Sequence, residues 1–337
     1  MLYETLIRNF LFSMEPEKAH EFTLRNLHKF QNFFIRDKIN DSEKLKVNVA
    51  GINFPNRIGL AAGMDKSCEA PLAWQGLGFG HVEMGSVTFH PQDGNPKPRL
   101  FRLPEEKSLL NRMGFNNPGA SVVAARLAET KKNKKFLVPL GINIGKSRVV
   151  DPKKFSEVIE DYLGTVKLVQ AHADYLVINV SSPNTPGLRE WQSPKQLFEL
   201  LSPIKQIAKK PLFLKISPDI ETSSLEDILR VATEIKVDGI IATNTTVSRD
   251  GAPKWAKMET GGISGALLKQ KSLEITKWLA QNKPAEMALI SVGGISTADD
   301  VRERLALGAN LVQVYSALVF AGPTMVSLIN GELAKGL

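Results

Sequence analysis

Eight short apolar runs, alternating with helix-like patterns, constrain the fold of this chain more than any other feature of its sequence. Each run is rich in β-branched and aliphatic residues and ends in polar residues or glycine. The runs comprise residues 57–63, 81–88, 136–145, 175–181, 211–217, 239–246, 288–294 and 311–317. Eight strands separated by helices are the number that a (β/α)₈ barrel, or TIM barrel, requires.

A doubly wound parallel sheet is the competing α/β fold. We favour the barrel because the runs are almost continuously apolar, as expected of strands buried on both faces. The dinucleotide pattern G-x-G-x-x-G is absent, since GLGFG at residues 76–80 has other spacing and precedes a strand. GINIGKS at residues 141–147 has three residues between its glycines, where a nucleoside-triphosphate loop needs four.

Composition excludes several classes of protein. The 337 residues are 43% hydrophobic and include one cysteine, Cys68, so an internal disulfide is impossible and a reducing cytosolic compartment fits. Glu4 and Arg8 interrupt the position of a signal-peptide core, and no long uncharged apolar run predicts a membrane span. The net charge is +8, but the basic run at residues 131–135 follows a helical pattern without a nucleic-acid motif. We therefore predict no nucleic-acid partner.

Residues 1–40 form a predicted helical segment, separate from a barrel domain at residues 41–337. Apolar residues recur at helical spacing in two groups on either side of Pro16. The groups are Tyr3, Leu6, Ile7, Phe10 and Leu11, then Phe22, Leu27 and Phe30. This spacing predicts two amphipathic helices. Either they pack on their own domain, or they present an apolar face to lipid. Residues 45–56 predict a hairpin leading into the barrel.

The ends of the eight runs would meet at one rim of the barrel. The side chains there are mainly amides, hydroxyls and lysines. They belong to Gly63, Met64, Asp65, Lys66, Ser86, Asn143, Asn179, Ser182, Asn184, Lys215, Thr243, Asn244, Thr245, Thr246, Gly293, Gly294, Tyr315 and Ser316. The shortage of histidine and of paired carboxylates argues against a metal site and against glycosidase chemistry. The set suits a planar, hydrogen-bonding heterocycle.

The last two strand ends predict a phosphate site. Gly293 and Gly294 follow the seventh run, residues 296–299 resemble a helix N-cap, and Tyr315 and Ser316 follow the eighth run. Barrels often bind phosphate at this position through backbone N–H groups and a helix N-terminus. Gly265 belongs to a further glycine-rich stretch, which precedes the seventh run.

Lys215 lies inside the fifth apolar run, where an unpaired ammonium would cost several kcal/mol. Three interpretations remain open. The lysine is a Schiff-base nucleophile, which would make the protein a phosphosugar lyase or aldolase; or it is the electrostatic partner of a cofactor that becomes anionic; or it belongs to a buried ion pair.

Eight longer motifs carry a resemblance that covers essentially the whole chain. They are GLAAGMDK (59–66), KPRLFRL (97–103), NRMGFNN (111–117), GINIGK (141–146), INVSSPNTPGLR (178–189), ATNTT (242–246), TGGISG (260–265) and VGGI (292–295). With these motifs the sequence resembles the quinone-dependent, membrane-associated class of dihydroorotate dehydrogenases. The resemblance implies an FMN-binding (β/α)₈ barrel that oxidises dihydroorotate to orotate in pyrimidine biosynthesis.

The resemblance also implies roles for individual residues. Those matching FMN contacts are Ala62, Gly63, Lys66, Ser86, Asn143, Asn179, Lys215, Thr243, Gly265, Gly294, Tyr315 and Ser316. Those matching dihydroorotate contacts are Lys66, Asn111, Arg112, Met113, Gly114, Phe115, Asn179, Asn184, Asn244 and Thr245. An ammonium for the substrate carboxylate and amides for the pyrimidine ring make chemical sense of this second set.

Ser182 matches the catalytic base of the class, which takes the C5 proton of dihydroorotate while hydride leaves C6 for the flavin. An alcohol is a weak base, so it requires a hydrogen-bond network or water to receive its proton. Ser181 would point to the other side of an extended chain, and we predict a structural role for it. Without the surrounding motifs, a proline-rich turn would be the better explanation of both serines.

The N-terminal helices acquire a role from the same resemblance. In this class the extension lies on the membrane and leads ubiquinone or menaquinone to the flavin, and His20 and Arg102 match polar residues of that tunnel. The resemblance thus implies a monomer attached peripherally to the cytoplasmic face of the cell membrane.

Overall fold

The computed structural model describes residues 3–34, 42–133, 135–185 and 187–336. The strands are β1 (Val47–Val49), β2 (Ile52–Phe54), β3 (Ile58–Leu60), β4 (His81–Val87), β5 (Leu100–Leu103), β6 (Ser108–Asn111), β7 (Leu140–Ile144), β8 (Tyr175–Asn179), β9 (Leu212–Ile216), β10 (Gly239–Ala242), β11 (Gly262–Gly265), β12 (Ala288–Val292) and β13 (Leu311–Val314). The α-helices are α1 (Arg8–Ser13), α2 (Pro16–Phe34), α3 (Pro71–Gly76), α4 (Ala120–Asn133), α5 (Phe155–Val169), α6 (Pro194–Ile207), α7 (Thr222–Glu234), α8 (Lys254–Lys257), α9 (Lys269–Asn282), α10 (Ala298–Ala306), α11 (Ser316–Ala321) and α12 (Met325–Lys335).

Eight parallel strands form a closed barrel in the order β3-β4-β7-β8-β9-β10-β12-β13. They coincide with the eight apolar runs, so the predicted (β/α)₈ barrel is confirmed and the doubly wound alternative is wrong. Every residue of β4, β7, β8 and β9 is buried, because one face of each strand fills the barrel and the other packs under the helices.

Large side chains opposite glycines close the amino-terminal end of the barrel. His81 and Tyr175 fill the space beside two glycines, where no other residue would fit. A Cβ atom on Gly59 would lie only 2.0 Å from His81 Nε2, and one on Gly141 only 2.1 Å from Tyr175 Cζ. Burial lowers the pKa of His81 to about 3, so its ring is neutral in this layer. The predicted hairpin is present as β1 and β2, and Phe54 of β2 packs edge-on against His81 with ring centroids 5.3 Å apart.

An antiparallel sheet, β11-β6-β5, lies outside the barrel. Its middle strand, β6, ends at Asn111 and continues into the loop that carries Met113 and Phe115. This insertion, not one of the eight barrel strands, brings those residues to the barrel rim.

The N-terminal segment contains the two predicted helices, α1 and α2, preceded by a π-helical turn, Tyr3–Ile7. The Tyr3 hydroxyl donates to the Val319 carbonyl at 2.7 Å, and Arg8 Nη1 donates to the Phe320 carbonyl at 3.2 Å, so the segment is tied to α11. Leu24 and Leu27 pack against the main core.

Other apolar side chains of this segment face solvent. Leu6 is 63% exposed, Phe10 56% and Phe33 87%. The segment therefore combines both alternatives, packing on its own domain and presenting an apolar face. Among the described residues, no helix has the length and apolar character needed to cross a bilayer. The predicted boundary between residues 40 and 41 lies outside the described part of the chain.

Candidate active site

The carboxyl-terminal rim of the barrel surrounds a cavity of about 370 Å³, within the usual range for a small-molecule site. Most of the predicted site residues line it. They are Ala62, Gly63, Lys66, Ser86, Asn111, Met113, Gly114, Phe115, Asn179, Ser182, Asn184, Lys215, Thr243, Asn244, Thr245, Gly265, Gly294, Tyr315 and Ser316. The ends of seven of the eight barrel strands and the β6 loop thus converge on one space, as expected for a barrel active site.

Two of the residues predicted to contact FMN or dihydroorotate lie beside this cavity instead of lining it. Asn143 is fully buried beneath its wall. Arg112 lines a second, outer opening together with Lys97 and Asn184, and its guanidinium pairs with Glu259.

An amide and hydroxyl network forms one wall of the cavity. Asn179 Nδ2 donates to Ser86 Oγ at 3.0 Å and to Asn143 Oδ1 at 3.1 Å. Its Oδ1 accepts hydrogen bonds from Ser181 Oγ at 3.0 Å and from Asn244 Nδ2 at 3.3 Å. These contacts fix the orientation of the three amides, and they hold the buried Ser181 hydroxyl between Asn179 and Asn244.

Lys215 lines the cavity and pairs with Glu83, whose carboxylate oxygen lies 3.1 Å from the Lys215 ammonium. The Lys215 side chain is thus held in an ion pair, whereas a Schiff-base nucleophile must present a free neutral amine. The aldolase interpretation thereby loses its support, while the ion-pair and electrostatic interpretations are compatible with each other. Sequence reasoning missed Glu83, although an acidic residue in a second buried strand was an available signal.

The chain after β8 places Ser182 on the cavity wall. The backbone N–H of Asn184 donates to Ser182 Oγ at 3.2 Å. Arg189, also missed, holds this loop to the next: its Nε donates to the Ser181 carbonyl at 3.2 Å and its Nη2 to the Thr245 carbonyl at 3.3 Å. Its position at the end of the motif INVSSPNTPGLR was the available signal.

Lys66 supplies a cation at the cavity wall, where its Nζ donates to the Gly63 carbonyl at 3.1 Å. Burial lowers the pKa of Lys66 to about 8, and the positive charge of Arg99 acts in the same direction. The carboxylates of Glu17 and Asp65 partly oppose this shift. Lys66 is therefore mostly charged at neutral pH and ready to bind an anion.

The cavity also extends to the N-terminal segment, where Glu4 and Arg8 line it although sequence reasoning did not select them. The two predicted tunnel residues lie nearby without lining the cavity. Arg102 donates to the carbonyls of Leu11 at 3.0 Å and Met14 at 2.9 Å, so it holds the connection between α1 and α2. Burial and the charge of Lys66 lower the pKa of His20 to about 3, which keeps His20 neutral.

Another part of the cavity is lined by glycines and hydroxyls. Gly265, Gly294 and Ser316 line it, and Ser264 Oγ lies 2.8 Å from Ser316 Oγ. The predicted N-cap at residues 296–299 is present, with Thr297 as the capping residue of α10. However, Asp300 Oδ2 accepts the N–H groups of Ser296 at 2.7 Å and Thr297 at 3.0 Å. These two donors are therefore already used, and the glycine-lined strand ends are the better anion site.

No group of three or more His, Cys, Asp or Glu side chains in the described ranges is arranged to hold a metal ion.

The fold and the cavity define a (β/α)₈-barrel enzyme whose cavity has an amide wall and a glycine-lined end, the arrangement expected of a flavin-dependent barrel oxidoreductase. Sequence comparison identifies the particular family. The profile described as dihydroorotate dehydrogenase matches residues 44–337, and the chain belongs to this family, whose members are flavin-dependent.

Individual relatives agree with this assignment. The chain is 42% identical over 360 residues to a dihydroorotate dehydrogenase (quinone) from Nostoc sp., covering 99% of this chain and 94% of the relative. It is 44% identical over 324 residues to a protein of the same name from Thermus thermophilus, covering 94% and 92%. The ligand-free crystal structure of an Eimeria tenella dihydroorotate dehydrogenase superposes with a TM-score of 0.87 at 37% identity, covering 94% of both chains.

Proposed function

We propose that this protein oxidises (S)-dihydroorotate to orotate, with FMN as the immediate electron acceptor and a membrane quinone as the final one. The reaction is a step of de novo pyrimidine (UMP) biosynthesis. The names of the relatives support the reaction and the acceptor. The observation that carries the proposal is the position of Ser182 on the wall of a cavity that also presents Lys66 and a cluster of asparagines.

The residues present fit FMN. The cavity has a wall of amides, hydroxyls and an ammonium suited to the flavin ring, and a glycine-lined end suited to the phosphate. Gln313 adds a buried side-chain oxygen, Oε1, that has no hydrogen-bond partner in the described chain. When bound, FMN supplies a two-electron acceptor. The proposed FMN contacts are Ala62, Gly63, Lys66, Ser86, Asn143, Asn179, Lys215, Thr243, Gly265, Gly294, Tyr315 and Ser316.

The substrate would bind on the side of the cavity next to the β6 loop. Lys66 binds the carboxylate, because an ammonium and a carboxylate form a charge-assisted hydrogen bond. Amides supply both donors and acceptors to the pyrimidine ring. The proposed substrate contacts are Lys66, Asn111, Arg112, Met113, Gly114, Phe115, Asn179, Asn184, Asn244 and Thr245.

Ser182 is the proposed general base: its Oγ takes the C5 proton of dihydroorotate while its own hydroxyl proton passes to water. The N–H of Asn184 at 3.2 Å stabilises negative charge that develops on Ser182 Oγ. Among the described residues, no side chain accepts a hydrogen bond from the Ser182 hydroxyl. Water is therefore the proposed acceptor of the Ser182 hydroxyl proton.

Residues 1–40 form the proposed membrane and quinone-access segment, and residues 41–337 the FMN-binding barrel. The exposed side chains of Leu6, Phe10 and Phe33 would enter the lipid, on the cytoplasmic face of the membrane. A ubiquinone or menaquinone would then pass between these helices toward the cavity, close to His20 and Arg102. The protein acts as a peripheral monomer in this proposal.

The test is the visible spectrum of the purified protein under anaerobic conditions. We expect an oxidised flavin band that bleaches on adding dihydroorotate and returns on adding a ubiquinone analogue, but not with fumarate or NAD⁺. A yellow protein that does not respond to dihydroorotate would contradict the substrate. A colourless protein that FMN cannot reconstitute would contradict the cofactor.

A further inference from the structure

Glu83 places a carboxylate at the centre of the barrel, beneath the cavity. Its side chain has no solvent exposure. Oε1 accepts hydrogen bonds from Asn143 Nδ2 at 2.7 Å and from Lys215 Nζ at 3.1 Å, and Oε2 accepts one from Gln313 Nε2 at 2.7 Å. One side chain of β4 thus connects three other barrel strands, β7, β9 and β13.

An ionised carboxylate can only accept hydrogen bonds, so each of these partners must turn a donor toward Glu83. Asn143 therefore directs its Oδ1 away, where it accepts from Asn179 Nδ2 at 3.1 Å. Gln313 likewise keeps its Oε1 unpartnered while its side chain lines the cavity. Glu83 does not line the cavity, but it fixes the orientation of the Asn143 and Gln313 amides beside it.

The same carboxylate balances the charge of Lys215. Lys215 lines the cavity, and Glu83 lies behind it. Charges interact strongly in this low-dielectric interior, so a ligand beside Lys215 experiences an ammonium whose field is partly cancelled by Glu83. Without Glu83, the full positive charge would act on that ligand.

We propose that Glu83 is a positioning residue that tempers the charge of Lys215 and orients Asn143 and Gln313, and that it thereby sets the reduction potential of the cofactor. This inference rests on the proposed function, because it takes the ligand beside Lys215 to be FMN. Reduction adds negative charge to the ring, which an unbalanced ammonium favours. Glu83 accordingly holds the potential lower than Lys215 alone would set it.

The test is the midpoint potential of the flavin in purified holoenzyme, measured by spectral redox titration. In Glu83→Gln we expect the midpoint potential to rise by at least about 30 mV. For a two-electron couple, this rise means that the protein favours the reduced over the oxidised cofactor at least tenfold more than the unmodified protein does. Glu83→Asp, which keeps the charge, should restore most of the original potential. Asp161→Asn is the matched control, since Asp161 is a buried carboxylate outside the cavity.

The inference can still be tested if Glu83→Gln is too unstable to fold. In the double variant Glu83→Gln with Lys215→Met both charges are absent, so no buried ion is left unpaired. Its potential should lie below that of the unmodified protein, because the nearer charge, the ammonium, is gone. The inference would be overturned by an unchanged potential in Glu83→Gln or, where only the double variant folds, by a double variant whose potential equals that of Lys215→Met alone.

The titration also separates this inference from the proposed function. It monitors bound flavin without substrate, so a protein that binds FMN and bleaches with dihydroorotate, but whose potential ignores Glu83, contradicts the inference alone. A protein that binds no flavin contradicts the proposed function instead.

Discussion

Glu17 and Arg99 form a buried, two-pronged ion pair that connects helix α2 to the loop in front of the active site. Arg99 Nη2 donates to Glu17 Oε1 at 2.7 Å, and Arg99 Nε lies 3.1 Å from both carboxylate oxygens. Arg99 Nη1 then donates to the Asn95 carbonyl at 2.8 Å, and Asn95 Nδ2 donates to the Asn184 carbonyl at 3.2 Å. The N-terminal segment is therefore linked by hydrogen bonds to the loop that carries Ser182.

Replacing Glu17 by Gln should destabilise the protein strongly, because it leaves the Arg99 charge buried without its partner. Breaking a buried pair typically costs roughly 3–5 kcal/mol in the free energy of unfolding. Glu21→Gln is the control, since Glu21 is 50% exposed and pairs with Lys97 at 3.2 Å on the surface, where an ion pair contributes about 1 kcal/mol or less. Urea unfolding measures both. Equal midpoints in the two variants would show that the Glu17–Arg99 pair has no special weight.

The same pair should make the protein sensitive to acid. Burial alone would raise the pKa of Glu17, but the hydrogen bonds and charge of Arg99 reverse this and hold it below its ordinary value. Stability from this group is therefore present at neutral pH and lost as the pH falls through the lowered pKa. Glu17→Gln should weaken the dependence of unfolding on pH in the acid range.

Ser182→Ala should retain FMN and orotate binding but reduce flavin far more slowly. Removing a general base typically costs roughly 10²- to 10⁴-fold in rate. Stopped-flow bleaching of the flavin by dihydroorotate measures this step alone. Ser217→Ala is the matched control, because Ser217 is buried after the neighbouring strand β9 but does not line the cavity. Equal rates in the two variants would remove Ser182 from the mechanism.

Orotate affinity should fall at alkaline pH because Lys66 loses its proton. The pKa of Lys66 is about 8, so affinity should be constant below that pH and fall about tenfold per unit above it. Lys66→Met should bind orotate more weakly and show no break near pH 8. Titration of the flavin spectrum with orotate between pH 6 and 10 measures this. Lys97→Met, an exposed lysine at the outer opening, should keep the break.

Replacing Leu6, Phe10 and Phe33 together by Ser should weaken membrane binding at least tenfold, since three exposed apolar side chains would no longer enter lipid. Oxidation of dihydroorotate with a water-soluble acceptor should be unchanged. Co-sedimentation with phospholipid vesicles measures the binding. The control places Ser at Val149, Met258 and Leu328, which are 72%, 89% and 64% exposed elsewhere on the surface. Equal loss in both variants would contradict a specific membrane face.

The sequence by itself determined the barrel, because strands buried on both faces must be apolar throughout, and eight such runs left little choice of architecture. It also indicated most of the cavity lining, since the carboxyl ends of parallel barrel strands meet at one rim. Asn179, the last residue of β8, and Ser182, just after it, could be placed there from their position alone. Their proposed roles came from longer motifs, because a serine in a proline-rich turn carries no chemical signal of its own.

Only the tertiary structure decided which charges meet. Lys215 required a partner, but sequence spacing could not select Glu83, because the two residues are 132 positions apart and face each other across the barrel. The pair Glu17–Arg99 likewise joins positions 82 residues apart. This pair connects helix α2 to the loop before β5, and the pattern of apolar runs makes no prediction about the structure of that loop. Periodicity along a chain reports which face of an element is buried, whereas the partner of a buried charge depends on how separate elements pack together.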